Sequence, residues 1–120
     1  MQEDIQGILL MHLYYKLDEN KNVIPSSLEE WSTFIGDSFP ANYRRVGYDT
    51  VNGKRISTVF MGLCHNYTSN SNIPLVFETM IFDENKQVIY QERYPTCNEA
   101  EEGHKEAVQW VLDGCKDENI

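Results

Sequence analysis

Asn52-Gly53 stands between two runs that read as strands, YRRVGYDT at 43–50 and KRISTVFMGL at 54–63. Few dipeptides constrain a chain so narrowly. Both residues must take positive φ, which Asn and Gly tolerate, and the turn they form matches the right-handed twist of paired strands. A tight antiparallel hairpin is expected here. A second is expected where IPLVFETMIF at 73–82 turns through Asp83, Glu84 and Asn85 into KQVIYQERY at 86–94. The two hairpins make a four-stranded antiparallel meander, to which ILLMHLYYKL at 8–17 is a candidate fifth strand.

Two amphipathic helices accompany the strands. SSLEEWSTFI at 26–35 opens on a capping box, Ser26 with Glu29 or Ser27 with Glu30, and puts Leu28, Trp31 and Ile35 on one face before Gly36 ends it. The other starts at Thr96, capped with Glu99, and runs to about Leu112. Its stripe is Ala100, His104, Ala107, Val108 and Val111, with Gly103 beside it for close approach to a sheet. The expected fold is α+β in two layers, a four- or five-stranded meander sheet packed by two helices, in one domain spanning 1–120. A short echo, YKLDENKNVI at 15–24 and MIFDENKQVI at 80–89, reads as one turn solution used twice.

Alternation along the central runs gives both sheet faces an apolar character. Val59, Met61 and Leu63 oppose Ile56, Thr58 and Phe60, and Val76, Met80 and Phe82 oppose Leu75, Phe77 and Ile81. Helices can cover one face; a second copy of the chain is expected on the other, so a homodimer or higher oligomer is anticipated.

Charge narrows the function classes. Ten Lys and Arg against nineteen Asp and Glu give a net charge of −9, a field that repels nucleic acid and anionic membranes alike. No run is long enough to span a bilayer, and the acidic start MQEDIQ lacks the basic region of a secretory signal, so a cytoplasmic location is expected. Cys64, Cys97 and Cys115 have no metal or disulfide spacing and are expected as thiols.

The ionisable residues in the strand segment are the informative ones. Glu78 lies within an apolar run, where a carboxylate has to be protonated, paired or ligand-bound; an arginine on a neighbouring strand is the plain solution. All four arginines, Arg44, Arg45, Arg55 and Arg93, fall in this region, and their forked donors suit a carboxylate or a phosphate. His65 and Asn66 open the following loop, while His104 on a buried stripe reads first as a satisfied core histidine. A His65–Glu78–His104 metal set matches no ligand motif, and no G-x-S-x-G motif, phosphate loop or Gly-rich dinucleotide turn is present. The expected ligand-binding set is therefore Arg44, Arg55, His65, Asn66, Glu78, Arg93, Tyr94 and His104, with no catalytic residue, metal or cofactor.

ISTVFMGLCHN, PLVFETMIF and ERYPTCNEAEEGH together resemble a group of small phage and prophage proteins of unknown function. The shared pattern falls on Ser57, Thr58, Val59, Gly62, Leu63, His65 and Asn66. It continues through Pro74, Leu75, Phe77, Glu78, Thr79, Met80 and Phe82, and then Arg93, Tyr94, Thr96, Glu99, Ala100, Gly103 and His104. Cys64 departs from it where relatives carry an acidic residue, and YTSNSNI replaces a Gly-rich loop. The resemblance implies a phage-encoded protein acting on host machinery or intercepting a defence signal. Three readings stay open: a non-enzymatic binder of a small anionic, nucleotide-like signal or of a host defence protein; a small hydrolase using His65 and Glu78 as acid and base; and an acidic decoy for a host nucleic-acid-binding protein.

Overall fold

The computed structural model describes residues 14–37, 44–63 and 74–116. In chain order the elements are β1 (Tyr14–Leu17), β2 (Val23–Ser26), α1 (Leu28–Asp37), β3 (Arg45–Val51), β4 (Lys54–Phe60), β5 (Phe77–Phe82), β6 (Val88–Tyr94) and α2 (Cys97–Leu112). The last four strands form the expected antiparallel meander β3-β4-β5-β6. Asn52 and Gly53 sit in its first turn at φ 51° and 81°, as that dipeptide requires.

The candidate fifth strand does not join this sheet. Tyr14–Leu17 pairs with Val23–Ser26 in a separate two-stranded ribbon, and the rest of 8–17 lies outside the described residues. The cause is local: the D-E-N-K turn folds the chain back at once. Asp18 Oδ1 accepts the N–H of Asn20 at 2.9 Å and of Asn22 at 2.8 Å, and its carbonyl accepts the N–H of Lys21 at 3.0 Å. The second copy of the turn repeats each bond, with Asp83 accepting from Asn85, Gln87 and Lys86 at 2.8–2.9 Å. The ribbon attaches to the exit of β4, where Tyr15 N–H donates to Gly62 O at 2.7 Å.

The first helix takes the Ser27–Glu30 version of the capping box, with reciprocal bonds of 3.1 Å. Leu28 is exposed rather than part of the buried stripe, because the first turn precedes the point where the helix meets the core. Gly36 does not end the helix, which continues to Asp37. Contact is made instead by Trp31, whose Nε1 donates to Met61 O at 3.1 Å, and by Phe34, which packs edge-on against Phe60. In α2, Thr96 caps Glu99 N–H at 3.1 Å, and the buried stripe is Ala100, Gly103, His104, Ala107 and Val111. A Cβ at Gly103 would overlap the Tyr94 ring, which is why this helix lies so close to β6.

Both helices lie on one face of the sheet. Ile56, Thr58, Phe60, Phe77, Thr79 and Ile81 point toward them and are fully buried. Each of the large apolar side chains among these contributes roughly 1.5–3 kcal/mol by leaving water. The apolar core is divided in two. Phe60, Phe77, Val76, Tyr15 and Leu17 form one cluster with the ribbon and α1; Ile56, Ile81, Ala107 and Val111 form the other. Between them run the buried polar residues described next. No helix among the described residues is long and apolar enough to cross a membrane.

Candidate functional site

The residues singled out from the sequence fall into separate places. Glu78 and Arg93 are directly opposed on β5 and β6, and Arg93 Nε donates to Glu78 Oε2 at 3.0 Å. Gln91 Nε2 donates to the same oxygen. The buried carboxylate is thus satisfied by the plain solution, an arginine on the neighbouring strand. Arg55 lies on the same sheet face, but four residues along β4 from Val59, the partner of Glu78, so roughly 13 Å away by strand rise. Its guanidinium rests over the Phe82 ring, 5.5 Å from the centroid. His65 and Asn66 lie outside the described residues.

Tyr94 and His104 are on the opposite, helix-covered face, at two points of one hydrogen-bonded chain. His104 Nε2 lies 2.7 Å from Asp49 Oδ2, and its Nδ1 lies 2.7 Å from Thr58 Oγ1. Thr58 and Thr79 hydroxyls are 2.5 Å apart, and Tyr94 O–H donates to Thr79 at 3.1 Å. A carboxylate at Nε2 calls for the Nε2–H tautomer, which leaves Nδ1 to accept from Thr58. The whole chain then runs one way: Tyr94 donates to Thr79, Thr79 to Thr58, Thr58 to His104, and His104 to Asp49. Every buried polar atom in it has a partner. Burial pushes the Tyr94 phenol up to about 12, against a smaller lowering by its bond to Thr79.

Asp, His and Thr in sequence evoke a nucleophilic triad, but Thr58 has no exposed surface and lies between sheet and helix. No substrate reaches it, so the chain is a structural belt across the core.

A different location has the shape of a site. A pocket of about 220 Å³ is lined by Lys21 from the ribbon turn, Arg44 and Arg45 at the entry to β3, and Cys97 and Glu101 from the start of α2. Arg44 is held there by its Nη1 bond to Phe60 O at 3.2 Å. Arg45 borders the pocket while its guanidinium stacks over Tyr48 at 5.0 Å. Lys21, Cys97 and Glu101 also line a groove of about 930 Å³, whose walls add Asn20, Asn98 and three prolines. Burial, with the nearby Glu101 carboxylate, raises the Cys97 thiol above its usual value against the pull of Lys21. Cys97 forms part of the wall of both cavities.

Of the expected residues that the structure describes, only Arg44 lines this pocket. Lys21, Glu101, Asn20 and Asn98 were not singled out. One signal was legible: the D-E-N-K echo puts Lys21 at φ 64°, a position where glycine is easier. Among the described residues no group of three His, Cys, Asp or Glu side chains is placed to hold a metal ion. Compared with known protein families, curated proteins and solved structures, the chain matches none.

Proposed function

We propose that this chain is a non-enzymatic binding protein that captures a small anionic, nucleotide-like ligand. As its resemblance to phage proteins implies, it would do so in the host cytoplasm, to intercept a defence signal. The observation that carries this reading is the juxtaposition of Lys21 and Arg44 in one small pocket that shares its walls with a larger polar groove. In a chain of net charge −9, cations that line a concavity set a local potential opposite to the overall field. A pocket of about 220 Å³ takes a compact charged group, and a groove of about 930 Å³ is within the usual range for a whole small ligand.

The hydrolase reading draws less support, since Glu78 is tied by Arg93 and Gln91. Native mass spectrometry after incubation with a cytosolic metabolite extract separates the three readings. A retained anion that leaves the denatured protein with unchanged mass supports capture. A released product of different mass establishes the hydrolase, and a protein that retains no small molecule favours the decoy.

A further inference from the structure

Resting on the reading of an anion-binding protein, we infer that the ligand is a ribonucleoside phosphate, with its phosphate between Lys21 and Arg44, its ribose at Glu101 and its base in the groove. The order of chemistry along the two cavities carries this assignment. Arg44 and Arg45 line the smaller cavity alone and Lys21 lines both, and the smaller volume, about 220 Å³, is below the range that accommodates a whole drug-sized ligand. It suits a headgroup. Arginine and lysine are the side chains that hold phosphate oxygens, the first through a planar fork and the second as a point charge.

Glu101 lines both cavities together with Lys21 and Cys97, so it stands with them at the boundary. A carboxylate in an anion pocket is out of place if the ligand is only an anion. It fits if the group next to the phosphate carries hydroxyl donors, because a carboxylate accepts from ribose hydroxyls as it does in dinucleotide-binding folds. Beyond Glu101 the larger cavity changes character. Pro25, Pro74 and Pro95 offer flat apolar surface, and the side-chain amides of Asn20 and Asn98 make no hydrogen bond among the described residues. Amides carry both donors and acceptors, which is what the edge of a base presents in return. A dicarboxylate or inorganic phosphate would use the cations and leave Glu101 and the groove without a role.

The test is isothermal titration of the full chain at fixed ionic strength with adenosine and guanosine monophosphates, deoxyadenosine monophosphate, adenosine and inorganic phosphate. Three proteins are compared: the parent, Glu101→Gln and Lys21→Gly. Lys21→Gly relieves a positive-φ residue, so a loss of binding in it does not come from misfolding. At least one ribonucleotide is expected to bind about tenfold or more tightly than phosphate, adenosine or the deoxynucleotide, the size of effect a charged hydrogen bond gives. Glu101→Gln is expected to remove the preference for ribose over deoxyribose while phosphate-dependent binding stays, and Lys21→Gly to weaken every phosphate ligand about tenfold. If inorganic phosphate binds as tightly as the nucleotides, or ribose and deoxyribose are not distinguished by the parent, the ribonucleotide assignment is overturned and anion capture stands. If none of these compounds binds, the anion-binding reading fails with it.

Discussion

Lys21 and Lys86 occupy the same place in two copies of one turn, each at φ 64° and each donating its N–H to the carbonyl of the aspartate three residues before it. A side chain in the left-handed region costs roughly 1–2 kcal/mol, and glycine gives back part of that relief as chain entropy of the unfolded state. Lys86→Gly and Lys21→Gly are both expected to raise stability, by roughly 0.5–1 kcal/mol, read from urea unfolding. Only Lys21→Gly is expected to lose ligand affinity, because Lys86 lines neither the cationic pocket nor the groove. Equal binding by the parent and both variants would make the retained lysine a feature of the turn alone.

The belt from Tyr94 to Asp49 predicts a particular pattern of coupled losses. Thr58→Val removes a hydroxyl of the same shape but strands both His104 Nδ1 and the Thr79 hydroxyl, at a cost of about 2–3 kcal/mol by denaturant unfolding. Thr79→Val strands the Tyr94 hydroxyl and breaks the link to Thr58. The double variant is expected to lose clearly less than the sum of the two, since each removes a partner of the other. Additive losses would show that the hydroxyls act independently.

The fold was legible because its signals are local. Asn52-Gly53 and the Thr96 cap each dictate structure through their own few neighbours, and both are where the sequence places them. The stripe on α2 follows from periodicity, and Glu78 finds the arginine that strand pairing offers. The ribbon was missed because β2 is four residues long and contains Pro25, so it reads as a return from a turn rather than a strand. The pocket was missed for a different reason. Lys21, Arg44 and Glu101 meet only because the ribbon docks against the exit of β4 and α2 crosses the same end of the sheet. No spacing along the chain encodes that meeting.

Stability is expected to fall at both ends of the pH scale, from named groups. Asp18 is held below its ordinary value of 3.8 first by the N–H of Asn22, and Glu30 below 4.5 first by the N–H of Ser27. Depressed carboxylates contribute stability above their unfolded values and lose it as pH falls through the folded ones, so unfolding should ease below about pH 4. Asp18→Asn is expected to flatten that slope. Tyr94 is shifted the other way: raised from 10.0 to about 12, it stabilises fully below 10.0 and loses this as pH climbs toward 12. Tyr94→Phe should remove the alkaline step, followed by denaturant unfolding and by the ultraviolet signal of phenolate. An unchanged alkaline profile in that variant would assign the step to another group.

Where the anion binds is the most direct question to put to the molecule, and an amide NMR titration with adenosine monophosphate answers it residue by residue. The predicted result is a set of saturable shifts at Lys21, Val46, Cys97, Asn98 and Glu101, with the amides of Arg55, Glu78 and Arg93 unmoved. Shifts centred on Glu78 and Arg93 across β5 and β6, or none at millimolar ligand, would contradict the account.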